Sequence, residues 1–245
     1  MITIAEPVNP NNALDCRNAM YVGSSGSGKT TAVKNLNIAA NDCVVFFDAF
    51  GDYEGTFKGQ QVFTYYTWSD FSENLFKARS SGKPFKIARG FKGRIEKGDF
   101  ELFCALAWAC GDGSKEPLNV VLEELAKFCD TAGKMDGYVG DLIRIGRKFG
   151  LRTHCIFQRG QEVGKTVIGN CPIKWIGYQD RENDAVYLSK ELGIASEAIA
   201  KLEKLEYIIK TEKHGKGEFD NGKFTFKQAE IKSVKKIKGK YTLEA

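Results

Sequence analysis

Four short, largely apolar runs, each closing on polar residues, set the rhythm of the chain. Residues 19–22 (AMYV) lead into GSSGSGKT, 43–47 (CVVFF) end at Asp48, 118–122 (LNVVL) end at Glu123 and Glu124, and 153–157 (THCIF) end at Gln158 and Arg159. Runs this short and this continuous predict strands buried on both faces. Between them lie segments with helical spacing of apolar positions: 31–40, 69–79 opened by Ser69 and Asp70, 99–110 (DFELFCALAWAC) and the basic stretch 140–149. Residues 62–68 and 85–88 add two more strand candidates. Strands alternating with helices predict an α/β fold, a mostly parallel central sheet flanked by helices, with its chemistry gathered along one sheet edge.

The ends depart from this rhythm. Residues 1–18 hold two of the five prolines and a run of asparagines, and they predict an arm or short edge strand before the core. Residues 211–245 lose helical periodicity; FDNGKFTF predicts a hairpin turning at Asn221-Gly222. The expected division is therefore an arm (1–18), a main domain (19–210) and a basic, β-rich C-terminal extension (211–245).

Composition adds limits. At 245 residues, 42% apolar and 27% charged, the chain has the make-up of a globular protein with room for one large domain. No apolar run approaches 18 residues, and MITIAEPVNPNN has neither a basic start nor an apolar core, so neither signal peptide nor membrane span is expected. The seven scattered cysteines form no C-x-x-C pair and predict reduced core residues of a cytosolic protein. Charge is uneven: from Lys201 to Ala245 twelve lysines face seven acids, an excess that equals the whole chain's +5. Such a tail suits a polyanion partner or a solvated surface. Lys83, Lys86, Arg89, Lys92 and Arg94, interleaved with Phe85 and Phe91, suit either a nucleic-acid contact or a solvated loop over core phenylalanines.

The chemistry centres on Gly23, Ser24, Ser25, Gly26, Ser27, Gly28, Lys29 and Thr30, which fill every fixed position of G-x-x-x-x-G-K-[ST] between a strand and a helix. Glycines let successive N–H groups from Ser25 to Lys29 turn inward around a phosphate chain, and the helix N-terminus, with Thr31 in its first turn, adds positive potential. Lys29 is expected to reach the outer phosphates of ATP, and the Thr30 hydroxyl to hold a bridging Mg2+. Glu123 and Glu124 would arrive at the same edge, one to hold the metal's waters and the other to deprotonate attacking water; paired acids there could instead open the following helix.

Taken together, VVFFDAFGDY resembles the strand-end motif of HerA-type hexameric ATPases, and GRKFGLRTHCIFQRGQEV resembles the GR...G...hhhhQRP segment of the FtsK and HerA translocases. IGNCPIKWIGYQDRENDAVYLSKELGI followed by KLEKLEYII is similar to the stretch where those motors place a strand, a short helix and a final strand. The resemblance runs from about Met20 to Lys210. With no membrane part and no DNA-clamp domain, the chain is most similar to the genome-packaging ATPases of membrane-containing icosahedral viruses of the tectivirus type. That resemblance implies a P-loop NTPase of RecA/FtsK-HerA type, a homohexamer passing double-stranded DNA, working in the host cytoplasm or on the virion with capsid-vertex or portal proteins. It implies Lys29 and Thr30 as the P-loop pair, Glu123 at the metal, Glu124 as base, Gln158 as sensor of the terminal phosphate, and Arg147 as the arginine offered to a neighbour's ATP, with Arg159, Arg144 and Arg152 as alternatives. Two departures stand out: Glu123 replaces the family's usual Asp, and Gly160 replaces the QRP proline. A cellular HerA-like DNA-processing translocase and a nucleotide-gated virion-vertex assembly protein are the competing readings. RGFKGR and residues 131–137 are the candidate channel loops.

Overall fold

The computed structural model describes residues 4–129 and 135–225. In chain order the elements are β1 (Ala19–Val22), α1 (Lys29–Asn35), β2 (Cys43–Asp48), β3 (Gly55–Phe57), β4 (Gln60–Tyr65), α2 (Trp68–Ser80), β5 (Lys86–Gly90) and α3 (Lys97–Ala109). There follow β6 (Leu118–Leu122), α4 (Gly137–Arg144), β7 (Leu151–Phe157), α5 (Lys165–Asn170), β8 (Ile173–Gly177), α6 (Glu182–Leu192), α7 (Ser196–Ala200), β9 (Glu206–Lys210) and β10 (Asp220–Lys223).

All ten strands join one sheet in the order β10-β9-β8-β1-β7-β6-β2-β5-β4-β3. The strands from β8 to β4 in that order run parallel, while β3, β9 and β10 pair antiparallel at the two ends. This is the mostly parallel α/β sheet expected. Period-two alternation divides its core: Met20, Val22, Val45, Phe47, Val120, Leu122, Cys155 and Phe157 face α2 to α7. Ala19, Tyr21, Val44, Phe46, Val121, Ile156 and Trp175 face α1 and the segment carrying Tyr53 and Phe57. Both faces being buried explains why the strands read as continuous apolar runs. All seven cysteines are thiols, five of them buried, as expected.

Several elements depart from the sequence pattern. The α1 helix stops at Asn35, because Asn35 turns its amide back to Thr31 O and the chain then bends to seat buried Ile38 on the α1 face of the sheet. Segment 140–149 is not one helix: α4 breaks at Ile145, and a 3-10 turn (Gly146–Phe149) follows with Gly146 pressed against Leu151. Asn221-Gly222 is not a turn but lies inside β10, paired with Ile208 and Tyr207 of β9; the bend of that hairpin falls at 211–219. The described part of the C-terminal extension thus adds a strand to the main sheet, and residues 226–245 lie outside the described residues. So do residues 130–134, which hold most of the second candidate channel loop. The N-terminal arm is tied down along the strands' N-terminal edge, where Val8 bridges Asp112 and Asn11 N–H donates to Lys148 O. Among the described residues no helix is long and apolar enough to cross a membrane.

The basic–aromatic segment is not one surface. Lys86 is buried and donates to Ala40 O at 2.9 Å and to Asp42 O; Arg89 is buried between the rings of Trp68 and Phe91, 4.3 Å from each. Both cations hold the fold together. Exposed Lys83, Lys92 over Tyr66, and exposed Arg94, paired with Glu96, are the outward-facing members.

Candidate nucleotide site

Parallel strands deliver their C-terminal ends to one edge, and β1, β7, β6 and β2 are consecutive there. Register brings Val22 level with Phe157, Leu122 with Cys155 and Phe47 with Leu122, so the glycine-rich loop, Gln158, Glu123-Glu124 and Asp48 emerge side by side. The β7 strand lies between the loop's strand and the acids' strand. Gln158 therefore leaves the sheet between the glycine-rich loop and the glutamates, an arrangement that no local pattern predicts.

A cleft of about 370 Å3 opens at this edge, lined by Ser25, Gly26, Gly28, Lys29, Thr30, Thr31, Asp52, Glu123, Glu124, Gln158 and Leu205. Gly26 and Gly28 sit at φ 75° and 99°, left-handed conformations that a side chain would strain. The loop's other members build its frame instead of its wall. Ser24 N–H donates to Tyr178 O at 2.9 Å and its hydroxyl to Asp180 at 2.7 Å; Ser27 N–H donates to Ser24 O, and its side chain is buried under Gly23 and Gly177. Lys29 Nζ donates to Gly23 O at 2.7 Å and Ser24 O at 3.2 Å. Burial lowers its pKa, opposed by the negative charges of Glu124 and Glu123.

The two glutamates, adjacent in sequence, occupy different environments. Glu123 is only 4% exposed, and its Oε1 accepts from Tyr53 OH at 2.6 Å. Burial pushes its pKa up to about 7; the Tyr53 hydrogen bond and Lys29 oppose this, while Asp52 and Glu124 add to it. Glu124 has left-handed backbone angles (φ 49°, ψ 40°), uncommon for a side-chain-bearing residue and frequent at functional sites. That turn holds its carboxylate in the cleft, where Gln158 Nε2 donates to Oε1 at 3.2 Å. The pair precedes a 3-10 turn (Leu125–Phe128), so it does not open a regular α-helix.

The chain that this geometry describes is similar to the genome-packaging NTPase B204 of Sulfolobus turreted icosahedral virus 2, solved with ATPγS: TM-score 0.63, 16% identity, covering 85% of this chain and 97% of that one. The bacterial conjugative coupling protein TrwB superposes with a TM-score of 0.61 at 13% identity, covering 93% and 90%. The fold is that of the P-loop NTPases. In sequence, protein P9 of Pseudoalteromonas phage PM2 is 26% identical over 196 residues, 76% of this chain and 79% of P9. No family model matches the chain. The P-loop NTPase fold carries the resemblance seen in the motifs, and the strand, helix and final strand expected after residue 170 are β8, α6 with α7, and β9.

Within this fold the arginines part company. Arg147 lies in the 3-10 turn before β7, at the sheet edge opposite the cleft, where Nη1 donates to Leu14 O at 2.7 Å and Asn12 O at 3.2 Å. Arg144 bonds Met135 O and Asp141. Arg159, next to Gln158, forks onto buried Asp184 at 3.1–3.3 Å and also meets Glu162. Arg152 is half-buried near the start of β7.

Three residues at or against the cleft, Asp52, Tyr53 and Leu205, carried no assignment in the sequence. Asp48, the expected edge carboxylate, points inward and accepts the N–H groups of Asp52 at 2.9 Å and Tyr53 at 3.1 Å. The loop it shapes puts Asp52 in the cleft and Tyr53 on Glu123; the DAFGDY string was the available signal. Leu205, at φ 70°, packs with Phe224 beside Gly28, 3.5 and 3.1 Å from where a Cβ would sit. No local signal marked it, because it reaches the loop only through β9 and β10 joining the sheet.

Proposed function

We propose that this protein is an ATPase that drives double-stranded DNA into a preformed viral capsid. The observation that carries the reading is the convergence of Lys29, Thr30, Glu123, Glu124 and Gln158 on one cleft in a fold shared with a viral genome-packaging NTPase. Ser25, Gly26, Gly28 and Thr31 flank the phosphates, and Lys29 Nζ leaves the loop carbonyls for the outer phosphate oxygens.

A magnesium ion fits the residues present. Thr30 and Glu123 offer hydroxyl and carboxylate oxygens, the hard donors Mg2+ takes, and Glu123 is a desolvated carboxylate whose raised pKa a nearby cation would reverse. When bound, the ion neutralises phosphate charge. The chain's own residues do the rest. Glu124, held by Gln158, accepts a proton from the water that attacks the γ-phosphorus as the bond to the β-phosphate oxygen breaks. Gln158, hydrogen-bonded to Glu124 and lining the same cleft, is set to sense the terminal phosphate.

Arg147 faces away from its own cleft, as a residue serving a neighbouring subunit would, and we assign it that role in a homohexamer around DNA. The working complex would form at a capsid vertex in the host cytoplasm. The test is Mg2+-dependent ATP hydrolysis with and without double-stranded DNA, with Lys29→Ala as the blank. Stimulation by DNA, absent from the blank, supports the motor. Tight ATP binding with negligible turnover in both conditions would replace it with a nucleotide-gated assembly protein.

A further inference from the structure

The glutamate that stands where related motors usually carry an aspartate is clamped. Glu123 Oε1 accepts from Tyr53 OH at 2.6 Å, and both side chains are buried, at 4% and 1% exposure. A carboxylate one methylene longer than aspartate has an extra torsion to fix, and a hydrogen bond from a rigid donor fixes it.

Tyr53 is such a donor. Its ring stacks on Phe46, with centroids 4.4 Å apart, and lies near Phe57 and the Lys34 ammonium. Its backbone is fixed as well, since Asp48 accepts its N–H and Lys34 donates to the neighbouring Asp52 O. Asp48 stands level with Glu123 across the β2–β6 pairing, one step beyond the Phe47–Leu122 pair, so a five-residue loop from Asp48 suffices to bring the phenol back onto Glu123. A phenol in this apolar wall would cost energy without an acceptor; Glu123 supplies it.

We infer that Tyr53 is a positioning residue for the cation site: by occupying Oε1 it orients Glu123 so that Oε2 is presented to the metal. This inference rests on the proposed nucleotide site and concerns what makes a glutamate work there. Asp48 and the Phe46 stack hold Tyr53, Tyr53 holds Glu123, and Glu123 meets the cation.

The experiment pairs Tyr53→Phe, which keeps the ring and its packing, with Glu123→Asp and the double variant. The probe is Mn2+ bound with ADP, its affinity read by electron paramagnetic resonance and its ADP affinity by calorimetry in EDTA. Loss of one hydrogen bond to a charged group predicts Mn2+ binding about tenfold weaker in Tyr53→Phe, with ADP affinity in EDTA and thermal stability within about twofold and a few degrees of wild type. Glu123→Asp withdraws the carboxylate from the phenol, so adding Tyr53→Phe to it should change Mn2+ affinity no further. Equal Mn2+ affinity in wild type and Tyr53→Phe, or additive effects in the double variant, overturns the clamp while leaving the nucleotide site standing. A wild-type chain that binds neither ADP nor Mn2+·ADP overturns the site and the clamp together.

Discussion

Gln158 Nε2 donates to Glu124 Oε1 at 3.2 Å, linking the ends of two adjacent parallel strands. Glu124 would otherwise be a charged side chain on a strained backbone turn, free to rotate; the amide fixes it within the cleft that the P-loop also lines. Removing the charge should stop chemistry and leave binding. Glu124→Gln is expected to bind ATP as wild type does and to lose hydrolysis by about 10²–10⁴-fold, the range for a general base. Gln158→Ala, which frees the carboxylate without removing it, should cost about tenfold in kcat. Normal hydrolysis by Glu124→Gln, measured as phosphate release, would remove its role as base.

Because Arg147 is on the far edge from its own cleft, its loss and the loss of Lys29 should fall on opposite sides of a subunit boundary. Arg147→Ala and Lys29→Ala are each expected to be inactive as pure assemblies. Mixed, they should recover part of the wild-type rate, since some boundaries pair an intact loop with an intact arginine. Recovery no greater than the summed pure variants would send the role to Arg159, Arg144 or Arg152.

Four side chains form a directed hydrogen-bond chain that starts at exposed Asn37 and runs into the sheet. Asn37 donates to Tyr21 OH at 2.9 Å, Tyr21 OH lies 3.2 Å from His154 Nδ1, His154 Nε2 lies 3.0 Å from Asn119 Oδ1, and Asn119 donates to Cys43 O at 3.2 Å. The partners at each end require neutral His154 with its proton on Nε2, and burial pushes its pKa down from 6.5 to about 3. The unfolded chain takes up that proton below about pH 6.5 and the folded chain does not until about 3, so this contribution to stability is complete above 6.5 and lost as pH falls. Glu123, whose pKa is raised from 4.5 to about 7, works in the opposite sense, stabilising as pH falls from 7 toward 4.5. Comparison with a His154→Gln variant separates the two. From pH 7 to pH 5, urea unfolding of wild type should lose roughly 2 kcal/mol more than that of the variant. Parallel pH profiles would mean that His154 titrates normally.

Outward-facing cations are fewer than the sequence offered, since Lys86 and Arg89 are internal. Residues 226–245 contain six lysines against two acids. If these meet phosphates, removing 226–245 should reduce the slope of log affinity for double-stranded DNA against log salt by about 0.9 for each phosphate no longer neutralised. An unchanged slope would clear the tail of any part in DNA binding. Lys92→Glu with Arg94→Glu tests the other basic segment in the same assay, whereas Lys86→Ala should destabilise the fold by stripping Ala40 O and Asp42 O of their donor.

The elements that could be read in advance were those with short-range causes. Apolar runs marked β1, β2, β6 and β7, and the turn GSSGSGKT marked the phosphate loop, because burial on two faces and left-handed glycines are demands made residue by residue. Asn221-Gly222 misled for the same reason. The pair has strong local turn preference, yet β10 gains more by pairing with β9 and packing Phe224 on Tyr207 and Trp175.

Residue order alone specifies an α/β chain with a P-loop after its first strand and acids or amides at the ends of later ones. Which of these side chains meet is a matter of tertiary packing. Packing placed β7 between the P-loop strand and the acids' strand, setting Gln158 on Glu124, and it turned Asp48 inward so that Tyr53 reaches Glu123. A strand's own pattern states that it is buried but not beside which strand, because every apolar strand offers the same ladder of backbone groups. Neighbours are chosen by packing summed over the whole sheet, and the site's geometry follows from that choice.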